Sequence, residues 1–304
     1  MPAFLAVDWG TSNLRAWVVE ADGSTGACEE LPLGVSKLQP GEAERRFREE
    51  VRPALHAEAL PALLTGMVGS NLGWVEAPYL DCPADAAALA GALVQTEEGV
   101  RIVPGLRCVR PDGAPDVMRG EETQVIGWLA QDAARRTGAR LVCHPGTHAK
   151  WVLVEDGRVV RFVTMMTGEL FDTLSKHSVL RSEDGPASDS VESEAAFDAG
   201  VDAAGDGDAL SARLFTARSR VVGGDMPREA ARSYLSGLLI GADVASGRRV
   251  LDVPADAPLA LVGDTALCRL YARALARRGV AVESFSGEEA VLSGLRALFG
   301  EGRG

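Results

Sequence analysis

Three stretches of the sequence put glycine beside hydroxyl, carboxylate and cationic side chains. The first, Asp8-Trp9-Gly10-Thr11-Ser12-Asn13 with Arg15 just beyond, ends a short apolar run. Glycine in a tight turn lets backbone N–H groups come close to an anion, and hydroxyls add donors. Gly10, Thr11 and Ser12 are therefore candidate phosphate contacts. Asp8, at the end of the preceding strand, could hold Mg2+ through water, since that ion gives up its hydration reluctantly. The second stretch, His144-Pro145-Gly146-Thr147-His148-Ala149-Lys150-Trp151, has the same strand–turn–strand setting. Gly146, Thr147 and His148 could grip the other side of a triphosphate held at the first turn. His144 and His148 have the spacing of a metal pair on a helix, but Pro145-Gly146 disfavours that helix and with it a zinc site. The competing reading of either turn is a hairpin with solvent-facing polar side chains.

The third stretch, Met118-Arg119-Gly120-Glu121-Glu122-Thr123-Gln124, sets two carboxylates at a helix entrance. The helix dipole favours acidic residues there whatever their function. The functional reading is a general base for a substrate hydroxyl. Residues 66–76, followed by Pro78-Tyr79, offer Ser70, Asn71, Trp74 and Glu76 as polar groups beside an aromatic face, which suits a sugar-like ligand. Against it stands a surface loop with one anchored tryptophan. Gly263 and Asp264, closing Leu261-Val262-Gly263-Asp264, are candidates for a nucleotide base or ribose, although a single glycine more often only ends a strand.

Strands and helices must position these groups. Residues 3–7 and 14–20 read as strands around the first turn, and 61–65 as a short buried strand. Phe47, Val51 and Leu55, at four-residue spacing, predict a helix over 42–56, and 84–94 predicts another. Residues 100–109 alternate like a strand. Val125, Ile126, Leu129 and Ala133 make one face of a helix predicted over 121–136. A second pattern begins at Leu141. It holds a strand over 141–143, a hairpin of 151–154 with 158–165 around Glu155-Asp156-Gly157, and a helix over 168–180. Residues 181–209, acidic and rich in Ser, Asp, Gly and Ala, read as a loop with short helices. Helices are expected over 228–246, 266–278 and 287–299, and strands over 259–262 and 280–285. The plan repeats from Ala3 and from Leu141. This predicts an α/β fold of two lobes, 1–138 and 139–304, with an interlobe cleft.

At 304 residues the chain exceeds what one core ordinarily holds. Its 31 Lys+Arg against 43 Asp+Glu give a net charge of -12, which disfavours nucleic acid and anionic membrane surfaces as partners. A locally basic pocket for an anionic small molecule stays open, as does a homo-oligomer. Cys28, Cys82, Cys108, Cys143 and Cys268 are scattered and never spaced CxxC, which argues against a disulfide framework or a cysteine zinc site. The N-terminus lacks a basic region, and no apolar run reaches about 18 residues. The expectation is a cytoplasmic protein without signal peptide or membrane span.

Together these residues resemble the superfamily of sugar kinases and actin-like ATPases. Asp8-Trp9-Gly10-Thr11-Ser12 is similar to its first phosphate motif, and Pro145-Gly146-Thr147 with Lys150-Trp151 to its second. Leu261-Val262-Gly263-Asp264 takes the place of the adenosine motif with fewer glycines. Glu289-Ala290-Val291-Leu292-Ser293-Gly294-Leu295 resembles the late helix that returns to the lobe interface. More narrowly, Gly66-Met67-Val68-Gly69-Ser70 with Gly73-Trp74 and Pro78-Tyr79, then residues 118–124 and 145–151, resemble the 2-dehydro-3-deoxygalactonokinase family over nearly the whole chain.

The resemblance implies two ribonuclease-H-like lobes and transfer of the ATP γ-phosphoryl group to the C6 hydroxyl of 2-dehydro-3-deoxy-D-galactonate, in D-galactonate catabolism. It implies phosphates at Gly10-Thr11-Ser12 and Gly146-Thr147-His148, with hydrated Mg2+ at Asp8. In related carbohydrate kinases a Gly-Asp-Gln stretch between the phosphate motifs carries the catalytic aspartate. Gly120-Glu121-Glu122 occupies that place here, which makes Glu121 the expected base and Asp8 its rival. Arg15, Arg119 and Lys150 are candidates for holding the substrate carboxylate. The alternatives are a kinase for another sugar or sugar acid, such as the gluconate-derived epimer, a non-kinase actin-like ATP-binding regulator, and a polyphosphate phosphatase.

Overall fold

Phe-Leu-Ala-Val ahead of Asp8 is apolar without alternation, the pattern of a strand covered on both faces. In the computed structural model, which describes residues 3–96, 99–180, 193–254 and 256–302, it forms β1 (Phe4–Trp9), buried from Phe4 to Val7. The chain divides into two units. The first comprises Met1–Gly138, Val154–Arg161 and Ser286–Gly304, and the second Ala139–Leu153 and Phe162–Phe285.

In the first unit β1 pairs antiparallel with β2 (Leu14–Val19), and β2 with β3 (Thr25–Leu31). The helical spacing over 42–56 yields α1 (Glu42–Arg46), a π-turn at Phe47–Val51 and a single turn α2 (Arg52–Ala54). Phe47, Val51 and Leu55 do face the core, but Arg52 bends back to donate to the carbonyls of Ala57, Glu58 and Leu60. β4 (Ala62–Gly66), fully buried, lies parallel to β1. β5 (Tyr79–Asp81) belongs to a separate small sheet and is followed by α3 (Ala86–Gly91). β6 (Val94–Gln95) and β7 (Val100–Ile102) complete the main sheet, in the order β3-β2-β1-β4-β7-β6. The strand expected over 100–109 is broken at Val103-Pro104, because proline cannot donate to a ladder. Its second part, β8 (Gly105–Val109), joins β5 and β9 (Pro115–Met118) in the order β5-β8-β9. α4 (Glu121–Ala130) ends sooner than its pattern predicts. The Asp132 carboxylate accepts from the Ala134 N–H and opens a separate 3-10 turn at Ala133–Arg136.

The second unit is built around β10 (Ala139–His144) and the greater part of β11 (Ala149–Glu155), with the second half of β12 (Arg158–Met165), followed by α5 (Thr167–His177). Of the loop expected over 181–209, residues 181–192 lie outside the described residues. The remainder holds all of α6 (Glu194–Ala203) and no long loop. Short helices α7 (Leu210–Leu214) and α8 (Thr216–Val222) lead to α9 (Ala231–Leu251). α9 lies so close to α6 that a Cβ on Gly237 would fall 1.9 Å from the Phe197 carbonyl oxygen. β13 (Leu259–Gly263), α10 (Thr265–Arg277) and β14 (Glu283–Ser286) complete the unit's secondary structure, with sheet order β12-β11-β10-β13-β14 and β13 parallel to β10. The five cysteines are all free thiols. Among the described residues no helix is long and apolar enough to cross a membrane.

The last helix, α11 (Gly287–Glu301), packs on α4 within the first unit. A Cβ on Gly127 would lie 1.7 Å from the Ala290 carbonyl oxygen, and one on Gly294 would lie 2.0 Å from that of Thr123. Both obstacles are backbone, so neither can swing aside. Gly127→Ala should therefore lose about 1–3 kcal/mol to overpacking, more than the roughly 1 kcal/mol that helix propensity gains. Urea denaturation checks this: a raised midpoint in the variant would contradict so close a crossing.

Candidate active site

The first turn uses all of its carbonyls internally. Asn13 O accepts from the Gly10 N–H at 3.0 Å, Gly10 O from Val35 N–H at 3.0 Å, Thr11 O from Ser36 N–H at 3.1 Å, and Ser12 O from Gly34 N–H at 3.1 Å. The Ser36 hydroxyl also donates to Thr11 O, and the Trp9 indole N–H to Leu33 O at 2.5 Å. Gly34 is required for this fit, since a Cβ there would lie 2.1 Å from the Ser12 backbone. What remains for a ligand is donors: backbone N–H groups and the exposed Thr11 and Ser12 hydroxyls.

Two glycines bring the carboxylates to this turn. Register pairs Asp8 with Thr65 and Trp9 with Gly66, so β1 and β4 end together. Gly66 (φ +93) and Gly120 (φ +105) both adopt backbone angles that disfavour other residues. A Cβ on Gly66 would lie 2.7 Å from Trp9 O and 3.3 Å from Asp8 Oδ1, and one on Gly120 only 3.3 Å from Gly66 Cα. The head of α4 thereby reaches the strand ends. Burial pushes the Asp8 pKa up to about 6; the Arg15 cation opposes this, and Glu121 adds to it. The Arg119 N–H donates to Glu121 Oε2 at 3.2 Å.

Glu122 has the opposite fate. It is fully buried, its Oε2 accepts from the Gly120 N–H at 2.7 Å, and the Thr123 hydroxyl donates to Oε1 at 3.1 Å. The Thr65 and Thr123 hydroxyls pair at 2.6 Å. Burial, with Glu121 as a second cause, pushes the Glu122 pKa up to about 8. The expectation singled out Glu121 and gave Glu122 no role, yet Glu122 lies on the face of Val125, Ile126 and Leu129, a spacing that marks it as inward.

The remaining first-unit candidates divide. Arg15 pairs with Glu30 at 3.3 Å while acting electrostatically on Asp8. Arg119 is buried over the Tyr79 ring, 4.4 Å from its centroid, and donates through Nη2 to Ala77 O at 2.7 Å. Its Nε and Nη1 are enclosed without a hydrogen-bond partner. The Ser70 hydroxyl is absorbed by its own turn, donating to Met67 O at 2.7 Å and accepting from the Leu72 N–H. Trp74 packs against Phe47 at the rim of the core, while Asn71 and Glu76 are exposed.

Magnesium fits the carboxylate set in one way only. Among the described residues no three His, Cys, Asp or Glu side chains group to hold a metal. A half-buried Asp8 whose charge Glu121 further disfavours suits an ion that keeps its waters and takes its other ligands from phosphate.

In the second unit the turn at Gly146-Thr147-His148 is braced by α5. The Glu169 N–H donates to Thr147 O at 2.9 Å, the His148 ring pairs with the Glu169 carboxylate, and a Cβ on Gly168 would lie 2.5 Å from Gly146 O. Lys150 is nearly buried on β11. A Cβ on Gly263 would lie 3.4 Å from Pro145 O, and the Asp264 carboxylate caps α10 by accepting from the N–H groups of Ala266 and Leu267, each at 3.0 Å. Beside them opens a pocket lined by Gly146, Thr167, Ser233, Ser236, Leu267 and Tyr271, among others. These pocket residues carry no sequence signal of their own, because serine and tyrosine among leucines on a helix read as ordinary core.

The 2-keto-3-deoxy-galactonokinase family model matches residues 8–298. The chain belongs to that family. It is 37% identical to the 2-dehydro-3-deoxygalactonokinase of Escherichia coli K12 over 97% of either chain. A crystal structure from Sinorhizobium meliloti, of a protein provisionally given the same name, superposes with a TM-score of 0.85 at 37% identity, covering 97% of both chains. Component A of the (R)-2-hydroxyglutaryl-CoA dehydratase of Acidaminococcus fermentans, at 11% identity and a TM-score of 0.52 over 99% of both chains, shares the fold alone. The fold is the α/β fold of actin-like ATPases and sugar kinases.

The buried Glu122 carboxyl makes a stability prediction. Its pKa is raised in the fold, so between the ordinary glutamate value of 4.5 and about 8 the folded chain keeps a proton that the unfolded chain has lost. Stability should therefore fall as pH rises through that window. Glu122→Gln, whose amide replaces the protonated acid, should flatten the decline in Tm between pH 5 and 8. An equally steep decline in both proteins would refute the assignment.

Proposed function

We propose that this chain transfers the γ-phosphoryl group of ATP to the C6 hydroxyl of 2-dehydro-3-deoxy-D-galactonate, a cytoplasmic step of D-galactonate catabolism. The observation that carries this reading is the approach of Asp8 and Glu121 beside a turn whose backbone carbonyls are all used internally. Phosphoryl transfer depends on positioning and charge stabilisation more than on covalent chemistry. Gly10, Thr11 and Ser12 are assigned to phosphate contacts, as are Gly146, Thr147 and His148. The pocket lined by Ser236 and Tyr271 is assigned to the nucleotide base, with Gly263 and Asp264 at its approach. Mg2+, when bound with ATP, would neutralise charge on the β- and γ-phosphates, with Asp8 orienting its waters.

Glu121 is assigned as the base that takes the proton of the C6 hydroxyl. It stands at the entrance of α4, where it is half-buried, whereas Glu122 is enclosed. Arg119 is assigned to the substrate carboxylate through the positive charge of its guanidinium, which lies over the Tyr79 ring beside the 66–76 loop. Asn71 and Glu76 are left as exposed contacts for the sugar hydroxyls, with Ser70 and Trp74 shaping the loop.

Release of ADP with a panel of sugar acids tests this reading. 2-Dehydro-3-deoxygalactonate should support turnover well above that of its gluconate-derived epimer and of neutral sugars. Phosphate release without any acceptor would instead mark a phosphatase. Glu121→Gln should lower kcat by about 10²–10⁴. A loss smaller than about tenfold would remove Glu121 from the role of base.

A further inference from the structure

One ionisable group in the second unit takes no part in the chemistry above yet holds the parts that do. Asp243 lies in the middle of α9 and is 4% exposed. Its Oδ1 accepts from the Trp151 indole N–H at 2.5 Å, and its Oδ2 from the hydroxyls of Thr167 and Tyr271, each also at 2.5 Å. Its three donors come from three different elements: β11, the first residue of α5, and α10. Burial raises the carboxyl pKa, and the three hydrogen bonds oppose that rise.

Each donor leads to the proposed nucleotide side. Thr167 and Tyr271 line the pocket themselves. Thr167 also precedes Gly168, whose missing side chain lets α5 press against Gly146 and Thr147. Trp151 lies on β11, four residues beyond Thr147. Its ring is held a second time by Gly247, one turn along α9 from Asp243, where a Cβ would lie 2.3 Å from the indole.

We infer that Asp243 is a positioning residue for ATP binding, one carboxylate that fixes the pocket walls and the second phosphate turn relative to each other. The inference rests on assigning that pocket to the nucleotide. Without the carboxylate, three buried donors lose their common acceptor, and the walls are free to drift.

Titration of the Mg2+ complex of AMP-PNP, together with KM for both substrates, tests it. Asp243→Ala should weaken AMP-PNP binding about tenfold or more while the sugar-acid KM stays within about twofold. Asp243→Asn should restore most of the loss, because its oxygen still accepts from the indole and its amide can donate to the two hydroxyls. Tyr271→Phe removes one arm and keeps the ring, so an effect of about threefold is expected, and it carries the test if Asp243→Ala fails to fold. Wild-type AMP-PNP binding in these variants, or equal weakening of both substrates, would overturn the inference. Ser236→Phe separates the two levels of the argument by filling the pocket. If it leaves AMP-PNP binding intact, the pocket assignment fails and the inference with it. If it blocks binding while the Asp243 and Tyr271 variants bind normally, the positioning role alone fails.

Discussion

The close approach of Gly66 to Gly120 sets what the first unit can do. A side chain on Gly120 would press on Gly66 Cα at the end of β4, and one on Gly66 would strike Trp9 O and crowd Asp8 at the end of β1. Glu121 stands near enough to Asp8 to disfavour the aspartate's charge. Two such acids have little reason to be neighbours on stability grounds, since like charges in a partly dehydrated site oppose ionisation. Under the proposed function, a hydrated cation and a phosphate would complete the arrangement. Arg15 moderates the repulsion without quenching it, being shared with Glu30 near the surface.

The two turns proposed to hold phosphate face a related problem. Under that proposal, a chain with net charge -12 must attract a polyanion without surrounding it by lysines. The first turn does so by using its carbonyls internally, so that its outward groups are N–H and O–H. Backbone donors carry partial positive charge and need no counter-ion when the ligand is absent. The second turn is held differently. Gly168 lets the start of α5 press against it, and the interior of the unit fixes that helix through Thr167 and Asp243. In both units glycines far apart in sequence meet because backbone, not side chain, must fill the gap.

Much of this was legible in the sequence where period and punctuation agree. The apolar runs and glycine turns marked β1, β2, β4, β10 and both candidate phosphate motifs in their order. Legibility failed where tertiary contacts override local pattern. Phe47, Val51 and Leu55 face inward as their spacing requires, and the run from Glu42 to Ala54 is helical, but the pattern does not show that Phe47–Val51 relaxes to π geometry. β3 escapes the pattern because Thr25–Leu31 is exposed almost throughout and carries charge on both faces. Residues 100–109 alternate as one strand, but Pro104 divides them between two sheets. The pocket walls were invisible for another reason: Ser233, Ser236 and Tyr271 gain their meaning only from helices packed at distances a sequence does not state.

Glu121 and Glu122 show how one residue of offset decides chemistry. Adjacent positions on a helix point about 100° apart, so the same residue type meets two media. Glu122 turns inward with Val125, Ile126 and Leu129, and there its carboxyl holds a proton through neutral pH and ties the Gly120 N–H to its own helix. That bond fixes the glycine whose contact with Gly66 brings Glu121 to Asp8. A proton held so firmly is of no use to an incoming alcohol, since a base must be ionised before transfer and accessible to the substrate. The two glutamates thus divide: the inner one holds the helix head in place, and the outer one is left half-buried at the helix entrance, where the proposed function assigns it as the base.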